Sequence, residues 1–112
     1  MSEYQSNLEI SEAAAMIMDA GRVLVTTHAK PDGDAMGSVI ALSMALRELG
    51  KTIDACVPPP ILNIFDNFRG RETVQAFNPG TKLPEPDIVI LLDTGAWPQL
   101  EPMGEYLRTY VD

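Results

Sequence analysis

With 112 residues, 46% of them hydrophobic and 21% charged, the chain has the size and composition of one globular domain and is too short for two. Its net charge of −8 excludes non-specific affinity for nucleic-acid backbone, which takes clustered Lys and Arg, although carboxylates holding divalent cations would invert that field locally. Cys56 is the only cysteine, so an internal disulfide is excluded, and no stretch reaches the roughly 18 apolar residues of a membrane span. MSEYQSNLE at the N-terminus lacks the basic and apolar regions of a signal peptide, so a soluble, cytoplasmic protein is expected. In chain order, Ser6 and Glu9 have the spacing of a capping box, and Ile10, Ala13, Ala14 and Ile17 recur at helical spacing before Gly21. RVLVTT at 22–27 is a β-branched run suited to a buried strand. A helix is predicted over 35–49, with Val39, Leu42, Leu46 and Leu49 as its stripe and Gly50 as its stop. TIDACV at 52–57 then makes a second strand, and strand–helix–strand is the pattern of a parallel βαβ unit. Three prolines at 58–60 forbid helix or central strand there, and 61–68 allows a short helical turn. A brief strand is expected over 72–77, a clear one over DIVILLD at 87–93, and a helix over 100–110, admitted by a turn over 97–103 that holds Trp97, Pro98 and Pro102. This order predicts an α/β fold: an open, mostly parallel sheet with helices on both faces.

Such sheets bind ligands beyond the carboxyl ends of their strands. His28, Asp32 and Asp34, in THAKPDGDAMGS at 27–38, and Asp93, closing VILLD, all fall at those ends. A hydrolytic two-metal site needs hard oxygen ligands, a bridging carboxylate and ions about 3.5–4 Å apart. Imidazole with carboxylates suits Mn²⁺ better than Ca²⁺. Asp32 and Asp34, on either side of Gly33, can aim at different ions; His28 can join Asp32, and Asp93 can bridge. Pro31 and Gly33 shape the turn, Gly37 lets the backbone approach closely at the helix start, and the helix N-terminus near Ala35 offers N–H groups to a phosphate. Each residue also has a plainer role. On that plainer reading Asp34 is an N-cap, Asp32-Gly33 a turn, His28 a hydrogen-bonded strand end and Asp93 an Asx turn. Their coincidence at one rim is the argument for a site. Cys56, Trp97 and the methionines read as packing residues, and Arg69 and Arg71 as a solvated loop pair.

H-A-K-P-D-G-D-A-M-G-S at 28–38 resembles the first motif of the DHH-family phosphoesterases, and VILLDTG at 89–95 resembles their second. The similarity continues through ALSMALRELGK and the strand after it, and is greatest to the bacterial subgroup of bifunctional oligoribonucleases and 3′-phosphoadenosine 5′-phosphate phosphatases. The resemblance implies that His28 and Asp32 bind a first metal, Asp34 a second and Asp93 both, with Asp34 and Asp93 the catalytic carboxylates. It implies two Mn²⁺ ions, with Mg²⁺ as the alternative, and a short oligonucleotide or nucleotide phosphate as substrate. It also implies a homodimer for the full-length protein. The family's Asp-His-His triplet has no counterpart, since no histidine follows His28. Residues 1–112 are therefore expected to be the N-terminal half of a DHH domain, lacking the C-terminal substrate domain and inactive alone. Other motifs fit less well. DTGA at 93–96 matches an aspartic-protease loop but lacks the all-β context. A haloacid-dehalogenase-type phosphatase needs an acid where Gly95 stands, an EF-hand needs Glu where Ser43 stands, and there is no P-loop.

Overall fold

Four parallel strands, β1 (Arg22–Thr26), β2 (Thr52–Val57), β3 (Val74–Ala76) and β4 (Ile88–Leu91), form one sheet in the order β3-β2-β1-β4. This is a computed structural model, and it describes residues 8–93 and 97–110. Alternation along the strands sorts the core into two layers. Val23, Val25, Ile53, Ala55 and Val57 face one side, where α2 (Gly33–Glu48) packs Met36, Val39, Ile40 and Leu46 over them. Leu24 and Cys56 face the other, under Leu100, Met103 and Leu107. The last two of these flank and occupy α3 (Gly104–Arg108). Helical segments on both faces of a parallel sheet are the architecture that the sequence predicts.

Local chemistry explains most element ends. α1 (Ile10–Asp19) is capped by Glu9, whose backbone N–H donates to the Glu12 carboxylate at 3.1 Å. The capping box thus lies at Glu9 and Glu12; Ser6, the expected start, falls outside the described residues. α1 stops at Asp19, before Gly21, and the Lys51 ammonium donates to the Met18 and Ala20 carbonyls at 2.8 and 2.7 Å. A basic group on terminal carbonyls replaces a glycine cap here. α2 begins two residues earlier than the periodicity predicts, with Asp32 as N-cap, and Gly50 closes it at φ +85°. The predicted helix over 100–110 is broken: a 3₁₀ turn covers Trp97–Leu100 and only five residues form α3. Pro102 explains the break, because it lacks a donor and biases Glu101 away from helical geometry. Among the described residues no helix is long and apolar enough to cross a membrane.

The strand order matters most for function. From β1 the chain crosses through α2 to β2 and on to β3, then returns to place β4 on the opposite side of β1. The direction of winding reverses between β1 and β4. In open α/β sheets the ligand-binding crevice lies at such a reversal, beyond the carboxyl ends of the two strands.

Candidate metal centre at the β1–β4 rim

The two strands are tied together just below this crevice. The buried Thr27 hydroxyl donates to the Leu92 carbonyl at 2.7 Å, and the Leu92 N–H donates to the Thr26 carbonyl at 2.9 Å. The next residue on each strand is a candidate ligand, His28 on one and Asp93 on the other. Asp93 lies 65 positions beyond His28 in sequence, and the β1–β4 ladder together with the threonine link sets them side by side. Thr27 is a positioning residue that sequence reasoning passed over; its only signal was a hydroxyl immediately before the histidine.

His28, Asp32 and Asp93 each offer a ligand atom, all within 4.8 Å of one another. The His28 Nε2 lies 3.5 Å from Asp93 Oδ2 and 3.9 Å from Asp32 Oδ1. Its Nδ1 lies 2.8 Å from the Ala29 carbonyl. A carbonyl only accepts, so Nδ1 carries a proton and donates it there. In the neutral ring that leaves an Nε2 lone pair directed at two carboxylates. Three acceptor groups facing one another repel unless a cation sits among them, and this arrangement is the usual support of a metal-ligating imidazole. The donor set of one imidazole and two carboxylates therefore fits a borderline divalent ion.

Asp32 does two things at once. Its Oδ1 accepts the Ala35 N–H at 2.9 Å and so caps α2. That cap sets the direction of a carboxylate that remains largely exposed towards the crevice. The cap role expected as the plainer reading of Asp34 belongs to Asp32. Asp34 sits exposed in the first turn of α2, where its charge suits the positive end of the helix dipole, and it is not part of the three-residue cluster. Asp93 adopts φ +62° and Lys30 φ +53°, left-handed backbone at both sides of the cluster. Aspartate tolerates that region better than most residues, and such outliers concentrate at functional loops. The remainder of the second motif, residues 94 and 95, lies outside the described residues. Gly37, expected to allow close backbone approach, has no protein atom within 4 Å of the position its Cβ would take. Gly33 meets only the Phe65 ring, at 3.9 Å. The start of α2 is accordingly open at Gly37, while the Phe65 ring stands against it at Gly33.

The rim with its three candidate ligands can now be set beside known proteins. The family model for the DHH family, N-terminal domain, matches residues 22–108. The chain belongs to the DHH family. It is 36% identical over 74 residues to the bifunctional oligoribonuclease and PAP phosphatase NrnA of Thermus thermophilus, a match covering 66% of this chain and 22% of that protein. Its fold superposes on an exopolyphosphatase-related protein from Bacteroides fragilis with a TM-score of 0.80 at 22% identity, covering 86% of this chain and 30% of that one. The chain thus spans between a fifth and a third of the length of these relatives.

Proposed function

We propose that the protein is a metal-dependent phosphoesterase acting on short oligoribonucleotides or 3′-phosphoadenosine 5′-phosphate, with Mn²⁺ as its working ion. The observation that carries this reading is the His28 Nε2 facing two carboxylates at the rim where winding reverses. The substrate class follows the printed activity of the Thermus relative, and family membership supports phosphoester chemistry in general. His28, Asp32 and Asp93 would hold one ion, and Asp34 would serve a second. Divalent cations held there supply positive charge to the phosphoryl oxygens and to the departing oxygen. The chain's own groups do the positioning: Ala29 fixes the imidazole, the Ala35 N–H orients Asp32, and Thr27 holds Asp93 within reach. The positive dipole end at the start of α2 favours an anion beside it, although the Ala35 N–H itself is taken by Asp32. The buried thiol of Cys56 suits a reducing cytoplasm.

A second reading has its own support. The described ligands gather into one set of three, sufficient for a single ion completed by solvent, and Asp34 stands apart from it. On that reading the chain binds one metal and does not hydrolyse substrate.

Two measurements separate these outcomes. Electron paramagnetic resonance of Mn²⁺ titrated into the protein reports metal binding, and chromatography of a dinucleotide and of 3′-phosphoadenosine 5′-phosphate reports hydrolysis. Asp93→Asn keeps a side chain that tolerates left-handed backbone while removing the charge. It is expected to fold normally and to lose at least about tenfold in Mn²⁺ affinity, since even groups supporting a ligand cost that much. Binding unchanged in Asp93→Asn would sink the metal centre. Mn²⁺ bound without turnover would favour the single-ion reading.

A further inference from the structure

Between His28 and Asp32 the loop carries Lys30, exposed and at φ +53°. Lysine has no intrinsic reason to occupy left-handed backbone; glycine would do so without strain, and asparagine or aspartate more readily. The surroundings over-determine the loop instead. Ala29 donates its N–H to the Gln99 carbonyl, Pro31 is fully buried, and Asp32 is committed to capping α2. With both neighbours pinned, the Lys30 side chain is the part of the loop left to project. It makes no ion pair among the described residues, where the pairs are Arg22–Asp54 and the two His28 contacts.

Its electrostatic setting is distinctive. The other charged side chains of this loop and helix start are Asp32 and Asp34, with Asp93 across the rim. A nucleotide phosphate entering there meets three carboxylates, and with a single divalent ion in place one of their three charges stays uncompensated. An ammonium two residues from each loop ligand, a span of at most ~7 Å of chain, is the complementary charge. Fixed cations aimed at phosphoryl oxygens are a main source of binding and rate in such reactions.

We propose that Lys30 is a phosphate-binding residue of this site, its ammonium donating to a non-bridging oxygen of the nucleotide phosphate. The proposal rests on the metal reading above and adds a residue to it.

Isothermal titration calorimetry on the wild-type protein, Lys30→Gly and Lys30→Arg tests it, first with Mn²⁺ alone and then with 3′-phosphoadenosine 5′-phosphate added to the Mn²⁺-loaded protein. For Lys30→Gly the two affinities move apart. Mn²⁺ binding stays equal or tightens, because a like charge beside the ion is gone, while the nucleotide Kd rises at least about tenfold. The melting temperature of Lys30→Gly holds or rises as the left-handed strain is relieved. Lys30→Arg keeps nucleotide affinity within about threefold, since the charge is retained. A Lys30→Gly protein that binds nucleotide like the wild type, or that loses Mn²⁺ as well, overturns the assignment. So does a wild type that takes Mn²⁺ and no nucleotide. A wild type that binds no Mn²⁺ overturns the metal centre, and this proposal with it.

Discussion

At the candidate site, single side chains carry two duties, and the plain role sets the geometry of the candidate ligand. Asp32 caps α2, and the same bond aims its carboxylate; His28 is hydrogen-bonded at a strand end, and that bond frees Nε2 to face the two aspartates. Glycines show a similar division between packing and openness. Gly70 sits at φ +90°, and a Cβ there would come within 2.8 Å of Ile40 Cγ2 on α2. Gly70→Ala combines strain with a clash and is expected to cost about 1–3 kcal/mol, read from urea unfolding midpoints. Gly37 has ordinary helical backbone and open space around it, so Gly37→Ala is expected to gain about 0.5–1 kcal/mol in the same measurement. The motif's residue types were legible from the sequence. Which oxygen caps, which nitrogen points inward and which glycine is crowded were not, because each depends on an atom contributed from elsewhere.

Among the elements, β4 is the one whose placement decides the site, and it is clamped at both ends. Thr27 secures the carboxyl end through Leu92. At the amino end, Asp87 Oδ2 accepts the N–H groups of Gly21 and Arg22, both at 2.9 Å, while the Asp87 N–H donates to the Arg22 carbonyl at 2.8 Å. Those two N–H bonds hold the Asp87 carboxyl below its ordinary range. A carboxylate whose folded value is depressed contributes stability above the unfolded value, about 3.9, and loses it as pH falls through the folded one. The melting temperatures of the wild type and Asp87→Ala should therefore differ at neutral pH and converge below about pH 4. A constant gap across that range would show that the clamp owes nothing to the charge. Sequence periodicity located β4 correctly, and Pro98 and Pro102 marked the turn ahead of the last helix, yet alternation says nothing about clamps. Propensity acts over neighbours; the clamps act across 65 residues of chain.

For the whole molecule, the two core layers protect the sheet differently from the rim. Cys56 lies wholly buried in the layer under α3, and burial, helped by the nearby Asp54 charge, pushes its thiol up to about 12. The raised value works in the opposite sense from Asp87. Its contribution is complete below the unfolded thiol's value, about 8.5, and is lost as pH rises towards the folded one. A thiol-disulfide reagent at pH 8 should leave the native protein unmodified and react with one thiol per chain in denaturant; rapid modification of the native state would show that this layer opens readily. The sequence by itself determined the α/β class, the parallel strands, the long helix and the identity of His28, Asp32 and Asp93 as ligand candidates. Those follow from short-range patterns: β-branched runs, helical spacing and turn residues between them. Only the tertiary structure decided that β4 lies beside β1 rather than beyond β3, that the imidazole turns its free nitrogen to both aspartates, and that Asp34 stays outside their cluster. The reason is that convergence is a property of strand order and of hydrogen bonds between distant segments, and neither has a local signature.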